Sequence, residues 1–134
     1  IPQMRKQGYG RIINTASQCA KTGMPNFGHY CAAKAAVLLF TQTLALELAK
    51  TNIHVNAICP GSVDTEMTDR ECEIMTKQSG GDPQALKASF VHGVPIGRFA
   101  TPEDIAGVVL FLASDDADYI TGENINVTGA QEMH

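Results

Sequence analysis

The stretch Arg11-Ile12-Ile13-Asn14-Thr15-Ala16 reads as a short buried strand, set off by the breaker Gly8-Tyr9-Gly10 and delivering Ser17 at its end. Its place among the neighbouring segments decides the fold. A loop through Lys21-Thr22-Gly23-Met24-Pro25-Asn26 leads into a long helix from about Phe27 to Lys50, whose alanine and leucine content gives it high helix propensity. A second strand, Ile53-His54-Val55-Asn56-Ala57-Ile58-Cys59, is stopped by Pro60-Gly61. A polar, mostly helical excursion then runs from Glu66 to His92, broken at Ser79-Gly80-Gly81-Asp82-Pro83. Thr101-Pro102-Glu103-Asp104 starts another helix, with threonine as N-cap, proline at the first helical position and acidic residues in the first turn, and it continues to about Ala113. After Thr121-Gly122 comes a final strand, Glu123-Asn124-Ile125-Asn126-Val127. Strands separated by helical segments predict parallel pairing in a doubly wound α/β sandwich, where ligands collect beyond the carboxyl ends of the strands. Ser17 and Pro60-Gly61 both fall at such ends.

The long helix carries the chemistry. Between Thr22 and Ala49 the only formally charged side chains are Lys34 and Glu47, and an ammonium in apolar surroundings costs several kcal/mol unless it has a partner or a task. Tyr30 lies four residues before Lys34, so the phenol and the ammonium share one helical face. A phenol is a poor acid–base catalyst at neutral pH, and making it competent takes roughly 4 kcal/mol of preferential stabilisation of the phenolate. A fixed ammonium in a low-dielectric pocket can supply that. Ser17 can hold a reacting carbonyl or alcohol oxygen against Tyr30, and together these groups suit proton transfer at oxygen while hydride moves at carbon. A Tyr-x-x-x-Lys pair alone is a weak signal; its weight comes from the serine at a strand end, the nearly charge-free helix and the Pro60-Gly61 stop. The apolar residues go most of the way round this helix, which predicts one side packed on the sheet and another on a partner subunit, as in a homodimer or homotetramer.

Composition narrows the class. With 44% hydrophobic residues, 6% aromatics and no tryptophan, the 134 residues can hold one globular domain at most. A net charge of -4 without a basic run argues against nucleic acid and anionic membrane as partners. Cys19, Cys31, Cys59 and Cys72 form no CxxC pair and no disulfide density, which predicts reduced thiols, a cytoplasmic setting and no metal site. The most lipophilic stretch, Ala35 to Leu48, is interrupted by Thr41, Gln42, Thr43 and Glu47 and is shorter than the roughly 20 residues of a membrane span. No signal peptide is visible, and the opening Ile1 to Gln7 reads as the tail of a helix without an initiator methionine, so sequence upstream is expected.

Four stretches together resemble the short-chain dehydrogenase/reductase family: Gly10 through Ser17, Tyr30-Cys31-Ala32-Ala33-Lys34-Ala35-Ala36, Val55 through Pro60-Gly61-Ser62-Val63-Asp64-Thr65, and Gly97-Arg98-Phe99 through Tyr119-Ile120-Thr121-Gly122. The resemblance covers the chain from end to end and implies the C-terminal half of a Rossmann-like oxidoreductase of about 250 residues, using NAD or NADP. It implies Ser17 as substrate-positioning hydroxyl, Tyr30 as general acid/base, and Lys34 as modulator of the phenol and ligand of the nicotinamide ribose. Tyr30, Lys34, Pro60, Gly61, Val63 and Thr65 would form the cofactor contacts, with the backbone of Val63 and the hydroxyl of Thr65 near the carboxamide. For Thr65 an N-cap role ahead of Glu66-Met67-Thr68 is equally consistent.

The chain departs from the family pattern in lacking the glycine-rich dinucleotide loop, the residue that selects NAD or NADP and the relay asparagine. Gly80-Gly81 follows a helix rather than a strand and cannot replace that loop. These 134 residues by themselves are therefore expected to be inactive. For substrate, Ser17-Gln18-x-x-Lys21 and the terminus Ile125 through Met133 look like those of sorbitol and sorbitol-phosphate dehydrogenases, and the charged helices of the excursion suit a solvated lid better than an acyl slot. A small-molecule polyol/ketose pair is the favoured substrate. A 3-oxoacyl-carrier-protein reductase is the first alternative, since Asp64-Thr65-Glu66-Met67-Thr68 is reminiscent of that group; a noncatalytic truncated paralogue acting as an oligomerisation partner is the second. Lys21 and Arg70 could meet a sugar phosphate but fit a solvated surface better; His29 and His92 are further candidates for substrate contact, beside a loop-lining and a helix-closing role.

Overall fold

A computed structural model describes residues 1–133, apart from the side chain at position 78. Its element order is α1 (Pro2–Gln7), β1 (Gly10–Thr15), α2 (Gly28–Leu48), β2 (Ile53–Pro60), α3 (Glu66–Ser79), α4 (Pro83–His92), α5 (Pro102–Ala113) and β3 (Asn124–Val127), with short 3-10 turns at Gln18–Ala20 and Asp115–Ala117. All three strands are parallel in the order β1-β2-β3. Gly10 faces Ile53 and Thr15 faces Ile58 in the first ladder; Ala57 faces Asn124 and Pro60 faces Val127 in the second.

Period-two alternation sends the residues of β2 to two helical layers. Ile53 and Val55 pack with Ala45 and Leu48 of α2, joined by Met4, Ile12 and Leu44. Ile58 faces the other way, into Leu112 of α5 and Ala117, joined by Ile13, Ile105 and Ile125 among others. Helices on both faces of a parallel sheet are the doubly wound arrangement that the sequence predicts. On the α5 face, Asn56 is buried and satisfied twice: its Nδ2 donates to the carbonyl of Ile120 (2.9 Å) and its Oδ1 accepts from the amide of Glu123 (3.0 Å). Near the amino ends of the strands on that face, Arg11 lies over the Tyr9 ring (4.8 Å), donates to His54 Nδ1 (2.9 Å) and pairs with Asp118.

Boundaries shift by one or two residues. β2 runs on to Pro60, and Ala16 leaves β1 although its amide still reaches the carbonyl of Ile58 (2.9 Å). α2 stops at Leu48 because Thr51 takes that residue's carbonyl with both its amide (2.8 Å) and its hydroxyl (2.6 Å). The excursion breaks where expected, with Gly80 and Gly81 at φ 76° and 127° and Asp82 capping α4 through the amide of Gln84 (3.1 Å). Thr101 and Asp104 form a reciprocal capping box at the start of α5, which Arg98 completes by a two-pronged pair with Asp104 (2.6 and 3.2 Å).

One expectation is corrected. The apolar stretch is not too short to span a bilayer: α2 is 21 residues long with a mean hydropathy of 1.4, which passes by length and composition. Only a narrow stripe, Thr41, Ala45 and Leu48, is buried on the sheet, while Leu39 (66% exposed), Phe40 (59%) and Leu46 (79%) stand outside it.

Candidate active site

Parallel strands bring their carboxyl ends to one edge, and the predicted residues gather there. Ser17, next but one after the last residue of β1, is buried and caps the turn Gln18–Ala20 by accepting from the amide of Cys19 (3.2 Å). A hydroxyl that accepts one such bond keeps its proton for donation to another oxygen.

The lysine finds its partner at the same strand end. Lys34 Nζ donates to the carbonyl of Thr15 at 3.0 Å and lies 5.8 Å from the centroid of the Tyr30 ring. The cation thus sits between the end of β1 and the phenol, with two N–H donors beyond the one spent on Thr15. Tyr30 is 37% exposed and packs edge-on to Phe27, with ring centroids 6.4 Å apart. Seven residues along α2, Thr41 accepts from Asn14 Nδ2 (2.9 Å) and donates to the carbonyl of Val37 (2.8 Å), a second tie between helix and strand.

The Pro60–Thr65 loop adjoins this shelf. Gly61 donates its amide to Val127 O (3.0 Å), and a Cβ built on it would stand 2.7 Å from Gln131 Oε1 and 2.9 Å from Thr128 Cα. Only a glycine lets the strand end lie so close to the segment after β3. Val63 forms an isolated parallel bridge with Ala100, closed by Asp64 N to Ala100 O (2.8 Å) and Ala100 N to Ser62 O (3.0 Å). That pattern uses its neighbours' groups and turns the N–H and C=O of Val63 itself to the opposite side; the carbonyl accepts from Thr68 Oγ1 at 2.7 Å. Thr65 occupies the N-cap position of α3, yet its side chain makes no capping hydrogen bond. Its hydroxyl meets Thr68 Oγ1 at 3.4 Å instead, so the N-cap reading accounts for its backbone and not for its oxygen.

Other candidates are placed elsewhere. Lys21 Nζ is half-buried on the carbonyl of Asn124 (3.0 Å), which corrects both a phosphate and a solvated role: it ties the loop after Ser17 to β3. Arg70 and His29 are exposed, and His92 bonds back to Ala88 O (2.9 Å), closing α4. Gln131 is a residue that sequence reasoning missed. Its Oε1 accepts from the amide of Ser62 (3.0 Å) and its Nε2 donates to Ser62 Oγ (3.3 Å), supporting the loop from 69 positions away, and only its polar type so near an apolar strand could have hinted at this. Behind the same loop a cavity of about 240 Å³, lined among others by Val94, Ile96, Ala100 and Gly129, takes in none of Ser17, Tyr30 and Lys34. Burial pushes the Cys59 thiol, beneath Ser17, above its ordinary range.

Known proteins resemble this chain in sequence and in fold. Residues 1–129 match the family model described as enoyl-(acyl carrier protein) reductase. Galactitol 2-dehydrogenase of Agrobacterium fabrum is 48% identical over 124 residues, which are 92% of this chain and 48% of that protein. The 3-oxoacyl-acyl-carrier-protein reductase FabG of Rickettsia felis is 41% identical over 133 residues, 99% of this chain and 51% of the relative. The crystal structure of L-sorbose reductase from Gluconobacter frateurii complexed with NADPH and L-sorbose superposes with a TM-score of 0.89 at 39% identity, covering 97% of this chain and 50% of that one. The chain spans about half the length of the relatives it matches. With its parallel three-stranded sheet, its Ser17, Tyr30 and Lys34 at one strand edge, and this set of relatives, the chain belongs to the short-chain dehydrogenase/reductase family.

Proposed function

We propose that the protein carrying this segment interconverts an alcohol and a ketone with NAD or NADP, and that its substrate is a polyol/ketose pair. The observation that carries the chemistry is the Lys34 ammonium held on Thr15 O, 5.8 Å from the Tyr30 ring and on the strand end that bears Ser17. In the oxidative direction Ser17 donates a hydrogen bond to the substrate oxygen, and the Tyr30 phenolate takes the hydroxyl proton. In reduction the phenol returns that proton to the carbonyl oxygen. Lys34 stabilises the phenolate through space, a charge interaction that strengthens as water is excluded.

The residues present fit a nicotinamide dinucleotide. A glycine at 61 with no room for a Cβ, an outward-turned Val63 peptide and a Thr65 hydroxyl not spent on capping make a loop suited to a flat carboxamide. Pro60, Gly61, Val63 and Thr65 would hold that end, Tyr30 and Lys34 the ribose. When bound, the cofactor supplies hydride exchange at the substrate carbon. The polyol reading is supported by the 48% identity to a galactitol 2-dehydrogenase against 41% and 44% to two carrier-protein reductases; relative rates with a ketose and an acetoacetyl thioester separate the two. The exposed Leu39, Phe40 and Leu46 support a homodimer or homotetramer built partly on α2, and four free cysteines support a cytoplasmic setting. We take the chain to be one α/β unit, inactive without the rest of the protein.

The test is made in the whole protein. Tyr30→Phe lowers turnover by roughly 10²-fold or more while nucleotide binding stays within a few-fold; Lys34→Ala lowers both. Substantial residual turnover in Tyr30→Phe would defeat the assignment.

A further inference from the structure

Lys87, in the second turn of α4, reads in the sequence as part of a solvated helical surface. The structure corrects this. Its side chain is only 19% exposed, and its Nζ lies 2.6 Å from Asp64 Oδ1 and 2.6 Å from Asp69 Oδ1. The three residues come from three places: Lys87 from α4, Asp69 from the first turn of α3, and Asp64 from the loop before α3. Asp64 stands between Val63 and Thr65, and its own amide is pinned to Ala100 O (2.8 Å).

An ammonium has three donors, and two of them spent on carboxylates from separate segments make it a bridge. Asp69 fixes it to α3, to which α4 folds back after the Gly80-Gly81 break; Asp64 carries the tie into the loop. The two carboxylates also determine its charge: its hydrogen bonds to Asp64 first and Asp69 second hold the Lys87 proton more tightly than in a free lysine, so the bridge does not fail by loss of that proton at neutral or mildly alkaline pH.

We infer that Lys87 is a positioning residue that couples the α3–α4 excursion to the Val63–Thr65 loop, so that seating of the excursion and ordering of the cofactor-facing backbone are one event. Lys87 acts on Val63 and Thr65 through Asp64, the residue between them. Movement of α4 away from α3 strips Asp64 of its counter-charge and leaves the loop to the Ala100 bridge, the Thr68 hydroxyl on Val63 O and Gln131. The inference rests on the dehydrogenase reading for its consequence, though not for its geometry.

Two independent measurements test it in the whole protein. The first is hydrogen exchange, which needs no activity. Lys87→Met keeps the aliphatic stem, and amides 63–69 then exchange roughly 5-fold faster or more while those in the middle of α2 keep their wild-type rates. The second is kinetic. The same variant raises KM for the nucleotide by roughly 5-fold or more with kcat changed less, Asp64→Asn does the same, and the double variant is no worse than either alone. Lys87→Arg, which can still span two carboxylates, restores KM. Unchanged exchange at 63–69 in Lys87→Met, or full additivity in the double variant, overturns the coupling. Absence of any hydride transfer in the wild type would instead defeat the proposed function, and the exchange data would still decide the latch.

Discussion

Gly61→Ala tests whether the strand ends are packed as tightly as the geometry says. Gly61 is not among the residues with positive φ, so alanine meets no backbone strain there and its effect is steric alone. The new Cβ would lie 2.9 Å from Thr128 Cα and 2.7 Å from Gln131 Oε1, against the 3.5–4.0 Å of an ordinary carbon–carbon contact. Gln131 can swing aside, at the loss of its 3.0 Å bond from the amide of Ser62, worth about 1 kcal/mol. Thr128 cannot yield so easily. It is buried, and its hydroxyl donates to Glu132 O (2.9 Å) and accepts from Glu132 N (3.3 Å), which locks the backbone after β3. Overpacking of this kind costs about 1–3 kcal/mol, so the total is about 2–4 kcal/mol. In a protein of 150–250 residues that lowers Tm by roughly 5–15 °C in a thermal melt followed by circular dichroism. Gln131→Ala alone should cost only about 1 kcal/mol, and the double variant should fall short of the sum, because the amide collision is already relieved. A Gly61→Ala protein within about 0.5 kcal/mol of wild type would refute the close approach, and strict additivity would refute the part assigned to Gln131.

Two further outcomes concern the core and the amino ends of the strands. Asn56→Leu leaves the carbonyl of Ile120 and the amide of Glu123 buried without their partner, at about 2–5 kcal/mol for the two, measured by denaturant unfolding; a cost below about 1 kcal/mol would mean the Ile120–Glu123 turn is not held from β2. His54 should make stability depend on pH: burial first and the Arg11 cation second lower its proton affinity, with Asp118 opposing. Arg11 only donates, so the bond at Nδ1 requires an unprotonated nitrogen there. The folded state therefore binds fewer protons than the unfolded one, stability is complete above the ordinary histidine value of about 6.5 and falls as pH drops through it towards the lower folded value. His54→Asn should flatten Tm between pH 7.5 and pH 5.5, and an unchanged slope would show that another group titrates.

Much of the fold was legible because it is written in local period. β1 and β2 are β-branched runs closed by glycine and proline, α2 is a long alanine–leucine segment, and Thr101 to Asp104 spell a capping box, all within reach of one or two turns of chain. Ser17, Tyr30 and Lys34 were legible for the same reason: two sit four residues apart, and the third ends a strand. The contacts that give them geometry were not. Lys34 to Thr15 spans 19 residues, Gln131 to Ser62 spans 69, and Lys87 reaches Asp64 across 23. Each depends on how strands register and how helices lie on them, which no pattern along the chain encodes. The membrane-length reading of α2 failed in the opposite direction, because it was measured on the most apolar residues when the helix itself starts seven residues earlier, at Gly28.

The parallel sheet explains why so few contacts suffice to assemble the site. Ser17, Gly61 and the Thr128–Gln131 segment each come just after the end of a strand, so the ladders alone fix their relative heights. Tyr30 and Lys34 have no such guarantee, since a helix lying on a sheet can slide or turn. α2 is held against both motions by adjacent residues of β1: the Thr15 carbonyl takes Lys34, and the Asn14 amide takes Thr41, two turns further on. Lys34, Thr41, Ala45 and Leu48 form one stripe at helical spacing, the last three of them the buried residues of the helix. The polar ties and the apolar contact therefore act on the same face and reinforce one register. Sliding by a single turn would carry Tyr30 about 5.4 Å from the strand end, beyond hydrogen-bonding reach of an oxygen held by Ser17. The lone cation on an apolar helix is thus explained twice, as the charge beside the phenol and as the anchor that sets where the phenol stands.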